Sequence, residues 1–138
     1  MFQSRDEVRQ VYLNVWHKLQ HDQLLEPMES LIAEVIELHP EYHALLEDGE
    51  ASVQNDFTPE QGQTNPFLHM GMHIALREQA DSNRPSGIQP VYQKLAARRG
   101  RHEAEHAMME CLGQVLWQAQ RDATEPDQLA YLDCLKKL

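Results

Sequence analysis

Helix-start signals recur along the whole chain, and they constrain its fold more than any other feature of the sequence. Each is a place where a short polar side chain can accept a backbone N–H, or where proline fits a first helical turn. No stretch of four to eight residues alternates in β-branched and aromatic types, as a strand would. We therefore expect an all-α fold. The signals are Ser4-Arg5-Asp6-Glu7, Pro27, Pro40, Asn65-Pro66, Ser86-Gly87-Ile88-Gln89 and the group Thr124, Pro126 and Asp127.

These signals predict four main helices and several shorter ones. A chain of 138 residues suits one domain with one core, so we expect a single helical bundle over residues 1–138. The predicted helices cover about 4–21, 27–38, 40–48, 65–79, 86–100, 101–121 and a C-terminal stretch from 124. Residues 48–64 are expected to form a long loop, in which Thr58-Pro59-Glu60-Gln61 caps a single turn.

The composition argues against several partners. The formal net charge is −10, whereas binding to nucleic acid or to an anionic membrane surface needs a basic protein. No apolar segment follows Met1 as in a signal peptide, and no run approaches the length of a membrane span. Cys111 and Cys134 both fall in helical patterns, where we expect packed, reduced thiols in a cytoplasm. The chain is therefore expected to be cytoplasmic, with a protein partner or a second copy of itself as the remaining partners.

All eight histidines lie in pairs whose members are four residues apart, which stacks two imidazoles on one face of a helix. The pairs are His17/His21, His39/His43, His69/His73 and His102/His106. The first pair points away from the apolar stripe of its helix, centred near Val8 and Leu19, and we expect both rings in solvent. The second pair flanks Pro40, where a capping or structural role competes with metal ligation.

The segment 65–79 is apolar almost all round, which predicts a central helix. His69 and His73 need polar or metal partners there, because burying an unpaired imidazole is costly. Gly71 lies between them, lowers helix propensity and indicates the close approach of another element. Metal ligation and hydrogen-bonded core histidines are equally good interpretations of this pair.

The segment 101–121 carries two faces. The main apolar stripe consists of Ala104, Met108, Leu112, Val115 and Ala119. The second stripe consists of His102, His106, Glu110, Gly113 and Trp117. Glycine admits a neighbouring helix and tryptophan favours burial, so we expect the second stripe to be covered. His106 and Glu110 would then lie in a helix–helix interface.

The last histidine pair also matches a catalytic motif. His102-Glu103-Ala104-Glu105-His106 reads H-E-x-x-H, in which two histidines bind zinc and the first glutamate polarises a water. Glu110 or Glu125 would complete the zinc ligands. The motif opens its helix, however, and no strand is available to align a peptide substrate. A zinc-dependent hydrolase is therefore a minor alternative, and a di-iron bundle fails because only one Glu-x-x-His is present.

Several blocks of the chain carry a family resemblance. They are His39-Pro40-Glu41-Tyr42-His43, Thr58-Pro59-Glu60-Gln61-Gly62 with Asn65-Pro66-Phe67-Leu68-His69, His73, Met109-Glu110-Cys111-Leu112-Gly113 and Trp117-Gln118-Ala119-Gln120-Arg121. Together they resemble a proteobacterial family of small proteins catalogued as domain of unknown function 1841. The resemblance covers nearly the whole chain and implies a compact, cytoplasmic bacterial protein, with no established activity. It draws attention to His69, His73, His106 and Glu110.

The leading hypothesis is a metal-binding helical protein whose site lies between the predicted helices 65–79 and 101–121. The main candidate ligands are His69, His73, His106 and Glu110. The candidates for further ligands or for side chains that orient them are His39, His43, His102 and Glu103. Imidazole with carboxylate suits zinc, iron, nickel or manganese. The rival hypothesis is a non-catalytic interaction module with structural histidines, and the sequence assigns no reaction to either.

Overall fold

The computed structural model describes residues 4–57 and 65–138, and these form eight α-helices and one 3₁₀ turn with no strand among them. The all-α prediction is confirmed. The helices are α1 (Arg5–Gln20), α2 (Pro27–Glu37), α3 (His43–Glu47), α4 (Glu50–Gln54), α5 (Pro66–Ser82), α6 (Ile88–Arg99), α7 (Arg101–Asp122) and α8 (Gln128–Lys136), and the 3₁₀ turn spans Pro40–Tyr42. Within the described part of the chain, no helix is long and apolar enough to cross a membrane.

Local capping explains why the helices begin where they do. Ser4 Oγ accepts the backbone N–H of Glu7 at 3.1 Å at the start of α1. Asp127 accepts the N–H of Ala130 at 3.1 Å at the start of α8. Each side chain satisfies a backbone donor that the first helical turn leaves without a partner. The sequence signals therefore identify real helix ends.

The expected loop over 48–64 is wrong in its first part. Residues Glu50–Gln54 form α4, which follows Gly49 in a positive-φ conformation (φ 60°). Ser52 and Val53 are buried, so tertiary contacts stabilise a helix too short to be stable by itself. The predicted turn at 58–61 lies outside the described residues.

The chain divides into two compact units, Met1–Ile74 and Ala75–Leu138, with the boundary inside α5. The single domain over 1–138 stays a prediction. In the first unit, α1 packs against α2, α3 and α4. Its core consists of Tyr12, Val15, Ile32, Ala33, Val35, Ile36, Leu46, Phe57, Phe67, Met70 and Ile74.

The buried face of α1 differs from the predicted one. Val8 is 42% exposed, whereas Arg9 is 4% exposed. The Arg9 guanidinium donates to the backbone oxygens of Val53 and Asn55, at 2.9 and 2.6 Å, and lies 5.0 Å from the ring centroid of Phe67. Burial lowers the pKa of Arg9. The buried guanidinium holds the end of α4 and the residue that follows it against α1, a role that a hydrophobic pattern cannot reveal.

In the second unit, α7 packs against α6 and α8, and α6 also contacts α8. A disulfide joins Cys111 of α7 to Cys134 of α8, with the Cα atoms 5.8 Å apart. The expectation of two reduced thiols is therefore wrong. The sequence could not reveal the disulfide, because two helical cysteines 23 residues apart give no indication that their helices are neighbours.

Candidate metal centre

His39 reaches the centre because Pro40 ends α2. The residue before a proline is disfavoured in helical geometry, and His39 adopts φ −125° and ψ 64°. Its ring folds back so that Nδ1 lies 2.8 Å from the backbone oxygen of Val35. A carbonyl oxygen can only accept, so Nδ1 donates and the neutral ring carries its lone pair on Nε2. His39 is thus oriented as a metal-binding histidine would be.

His69 and His73 come from the first half of α5. Asn65 starts this helix, because its Oδ1 accepts the backbone N–H of Phe67 at 3.1 Å and of Leu68 at 3.2 Å. The four-residue spacing then places both rings on one face, with their centroids 4.9 Å apart. A Cβ added at Gly71 would lie 3.6 Å from the Tyr12 hydroxyl, an ordinary contact, so the close approach expected there does not require glycine.

The rings of His39, His69 and His73 form a near-equilateral triangle in the first unit. The centroid of His39 lies 5.1 Å from that of His69 and 4.8 Å from that of His73. Their candidate ligand nitrogens all lie within 4.8 Å of one another. Nitrogens around tetrahedral zinc are about 3.3 Å apart, as bond lengths near 2.0 Å require. Small side-chain rotations would bring the three nitrogens to that spacing.

The triangle is largely shielded from solvent. His39 is 3% exposed and His73 is 0% exposed, while His69 is half-buried. The phenol ring of Tyr42 stacks on His39, with centroids 5.3 Å apart and planes 5° from parallel. Burial, with a smaller contribution from Glu41, raises the pKa of Tyr42. Tyr42 thus extends the centre by an aromatic wall that the sequence analysis did not single out.

His43 has a structural position outside the triangle. Its Nε2 donates to the backbone oxygen of Ile36 at 2.9 Å, and its ring lies 4.6 Å from Trp16. The Trp16 indole N–H donates to Glu47 at 2.8 Å. These contacts hold α3 against the end of α2 and against α1, which is a structural role for His43.

The candidates of α7 lie in the second unit. His102 and His106 are half-buried, with ring centroids 4.3 Å apart, and Glu110 is exposed. The predicted cover of this stripe is wrong, since Trp117 is 58% exposed and no described atom lies within 4 Å of a Cβ added at Gly113. Trp117 instead packs under the guanidinium of Arg121, 4.8 Å from its ring centroid. Ligation by His102, His106 or Glu110 stays a prediction.

The H-E-x-x-H motif is divided between two environments. The Glu103 side chain is 71% exposed and lies 4.0 Å from Nδ1 of His106. Glu105 is fully buried, and its Oε2 accepts from Arg77 Nε at 2.9 Å and from the Tyr92 hydroxyl. Among the described residues, no group of three close ligands includes His102. This arrangement does not support a zinc hydrolase built on the motif.

Sequence reasoning missed Arg77, Tyr92 and Glu105, although one signal was present. Glu105 precedes Met108 by three residues and Leu112 by seven, which places it in register with the apolar stripe of α7. A charged residue in that register needs a buried partner. His17 and His21, by contrast, are both exposed as predicted.

Comparison with known proteins identifies a family. Residues 4–137 match the family described as Domain of unknown function (DUF1841). No curated protein matches the chain. No solved structure matches it either.

Proposed function

We propose that this chain, which belongs to the DUF1841 family, binds a divalent transition-metal ion through His39, His69 and His73. The proposal is carried by one observation: three histidines from two separate elements bring their ring nitrogens within 4.8 Å of one another. One helix face cannot surround an ion, so donors from different elements are needed. His39, at the end of α2, supplies the second element beside α5.

The orientation of His39 supports the proposal independently of that distance. A ligand histidine almost always donates its other ring N–H to a carbonyl or carboxylate, which fixes its tautomer. The contact from His39 Nδ1 to the backbone oxygen of Val35 is such a bond, at 2.8 Å. The same bond also satisfies the Val35 carbonyl at the end of α2, so His39 stabilises this helix end whether or not a metal binds.

The donor set indicates which metals would bind. Imidazole nitrogen suits zinc, copper, iron and nickel, whereas manganese prefers carboxylate and water. Zinc or another late divalent metal is therefore the expected ion, with iron and nickel retained from the sequence-based prediction. His106, Glu110, His43 and His102 remain proposed as additional ligands or as residues around the site.

A zinc titration of chain purified without an affinity tag or a nickel column tests the proposal. His69→Ala is the informative variant, because His69 is half-buried and its loss should leave the fold intact. His17→Ala is the matched control, since His17 is exposed on α1. We expect His69→Ala to weaken zinc binding roughly a hundredfold and His17→Ala to leave it unchanged.

Zinc should also raise the melting temperature of the wild type and of His17→Ala, because a ligand that binds only the folded state stabilises it. The shift should be lost in His69→Ala. Equal shifts in all three proteins would contradict the proposed centre. They would favour the interaction module with structural histidines.

A further inference from the structure

We propose that two copies of this chain associate through the exposed side of α7, with the two α7 helices packed antiparallel. The inference goes beyond the proposed metal binding and does not depend on it. Leu116 and Trp117 are 46% and 58% exposed, although both are large and apolar. They flank Gly113, where no described atom lies within 4 Å of an added Cβ. Adjacent exposed apolar side chains that include an aromatic ring are typical of protein interfaces.

Charges at the two ends of α7 identify the partner and its direction. Glu103 and Arg121 are 18 residues apart, which is about five helical turns, so both lie on the same side of the helix. Their side chains are 71% and 55% exposed. In an antiparallel pair, Glu103 of each copy faces Arg121 of the other, and the twofold axis gives two identical ion pairs. In a parallel pair, like charges would face each other and repel.

The residues between these two ends suit the same register. When Glu103 lies opposite Arg121, Glu110 lies opposite Gln114, which is exposed and carries no charge. Gly113 lies beside the midpoint of this register, and the lack of a side chain there lets two helices approach closely. No charged residue of this side therefore meets a like charge across the antiparallel contact.

Arg121 is able to bind a carboxylate of the second copy. Its guanidinium lies 4.8 Å from the ring centroid of Trp117, so the ring and the charge lie side by side at the proposed contact. Arg121 also donates to Asp122 at 3.0 Å, but a pair this exposed is weak. A guanidinium carries five N–H donors, which leaves donors for a second carboxylate.

The dimer is expected to be weak. One helix from each copy makes a small contact, and the net charge of −10 on each chain opposes association. We therefore expect a dissociation constant on the order of 100 µM. Sedimentation velocity of the wild type from about 5 to 500 µM brackets that value. The weight-average mass should rise from that of one chain towards that of two, in buffer with EDTA so that no metal bridges the copies.

Removing the apolar centre of the contact should abolish the association. Trp117→Ala should keep the mass of one chain at every concentration, because aromatic side chains carry much of the binding energy of an interface. Leu24→Ala is the matched control, since Leu24 is 93% exposed and lies between α1 and α2. The control should associate as the wild type does.

A charge exchange tests the antiparallel register. Glu103→Arg and Arg121→Glu each replace two attractive pairs by two repulsive ones, so each variant should weaken association at least about tenfold. The double variant Glu103→Arg/Arg121→Glu restores opposite charges, and its dissociation constant should return to within about threefold of wild type. Both side chains are exposed, and circular dichroism checks that all three variants remain helical.

The outcomes are distinct from those of the zinc titration. A wild-type mass that stays at one chain up to the highest concentration would overturn the inference and leave the metal centre untouched. Variants that all associate as the wild type does would place the contact elsewhere and overturn it as well. A double variant that stays as weak as the single variants would overturn the antiparallel pairing of Glu103 with Arg121.

Discussion

Arg77 Nε lies 2.9 Å from Oε2 of Glu105, and the two side chains are 2% and 0% exposed. The Tyr92 hydroxyl donates to the same oxygen, and Arg101 Nε lies 3.7 Å from it. Arg101 also donates to the Tyr92 oxygen at 2.9 Å. The Glu105 carboxylate thus contacts one side chain from each of three places: Arg77 in the second half of α5, Tyr92 in α6 and Arg101 at the start of α7. This buried network is the polar centre of the second unit.

Replacing Glu105 should strongly destabilise the second unit. Glu105→Ala leaves the buried Arg77 guanidinium without its carboxylate, and breaking one side of a buried ion pair costs about 3–5 kcal/mol. Urea unfolding followed by circular dichroism measures this loss. Glu103→Ala is the matched control, because Glu103 lies two residues before Glu105 on the same helix and its side chain is 71% exposed. The control should stay within about 0.5 kcal/mol of wild type. Equal losses in both variants would contradict the buried pair.

Tyr92 should make stability depend on alkaline pH. Burial, together with the hydrogen bond to Glu105, raises the pKa of Tyr92 to about 12. An unfolded tyrosine titrates near about pH 10. A folded-state pKa above the unfolded value stabilises the fold fully below about pH 10, and this contribution is lost as the pH rises towards 12.

Urea unfolding of wild type and Tyr92→Phe across this alkaline range measures the effect. The stability of the wild type should fall more steeply than that of Tyr92→Phe, which lacks the titrating group. Tyr131, whose pKa burial also raises, is present in both proteins and cancels in the comparison. Parallel curves would show that Tyr92 is not the responsible residue.

The disulfide between α7 and α8 should stabilise the second unit. Cys111 and Cys134 are 23 residues apart, and closing a loop of that size stabilises a fold by about 3 kcal/mol in the chain-entropy model. The double variant Cys111→Ser/Cys134→Ser should lose about this much in urea unfolding. Dithiothreitol should destabilise the wild type similarly and leave the double variant unchanged. A wild type that does not respond to the reductant would contradict a stabilising disulfide.

The helix starts and the exposed histidine pair could be predicted from sequence because both depend on neighbouring residues alone. Ser4 and Asp127 cap their helices with their own side chains. His17 and His21 lie opposite the core-facing side of α1, and this geometry is fixed by the period of the helix. Such local features need no knowledge of the rest of the chain.

The metal centre was only partly predictable because it depends on how α2 and α5 meet. The sequence placed His69 and His73 on one helix face but could not show that His39, after α2, would join them. Trp117 was misjudged for a related reason. Tryptophan favours burial only on average, and Trp117 is 58% exposed on α7.

Tyr42 should position His39 for metal binding. Its ring lies parallel to that of His39 and edge-on to that of His69, with centroids 5.3 and 6.2 Å away. Tyr42→Ala removes this wall and should weaken zinc binding about tenfold. Tyr42→Phe retains the ring and should bind as the wild type does. If both variants bind like the wild type, the stacking has no role in the centre, and if Tyr42→Phe also fails, the hydroxyl rather than the ring is required.

His106 is the remaining ligand prediction. The reason given by the sequence was a close approach at Gly113, and this support is removed because no other element among the described residues comes within 4 Å of a Cβ added there. A different reason supports it: three histidines leave at least one of the four tetrahedral positions to a further ligand.

His106→Ala should therefore weaken zinc binding beyond the effect of His102→Ala, its neighbour on the same helix face. Both rings are half-buried on α7, so the two variants should lose similar stability without metal. Zinc titrations of both variants beside the wild type give the measurement. If His106→Ala and His102→Ala bind zinc as tightly as the wild type, the centre consists of the three histidines of the first unit. The fourth tetrahedral position would then be available to water.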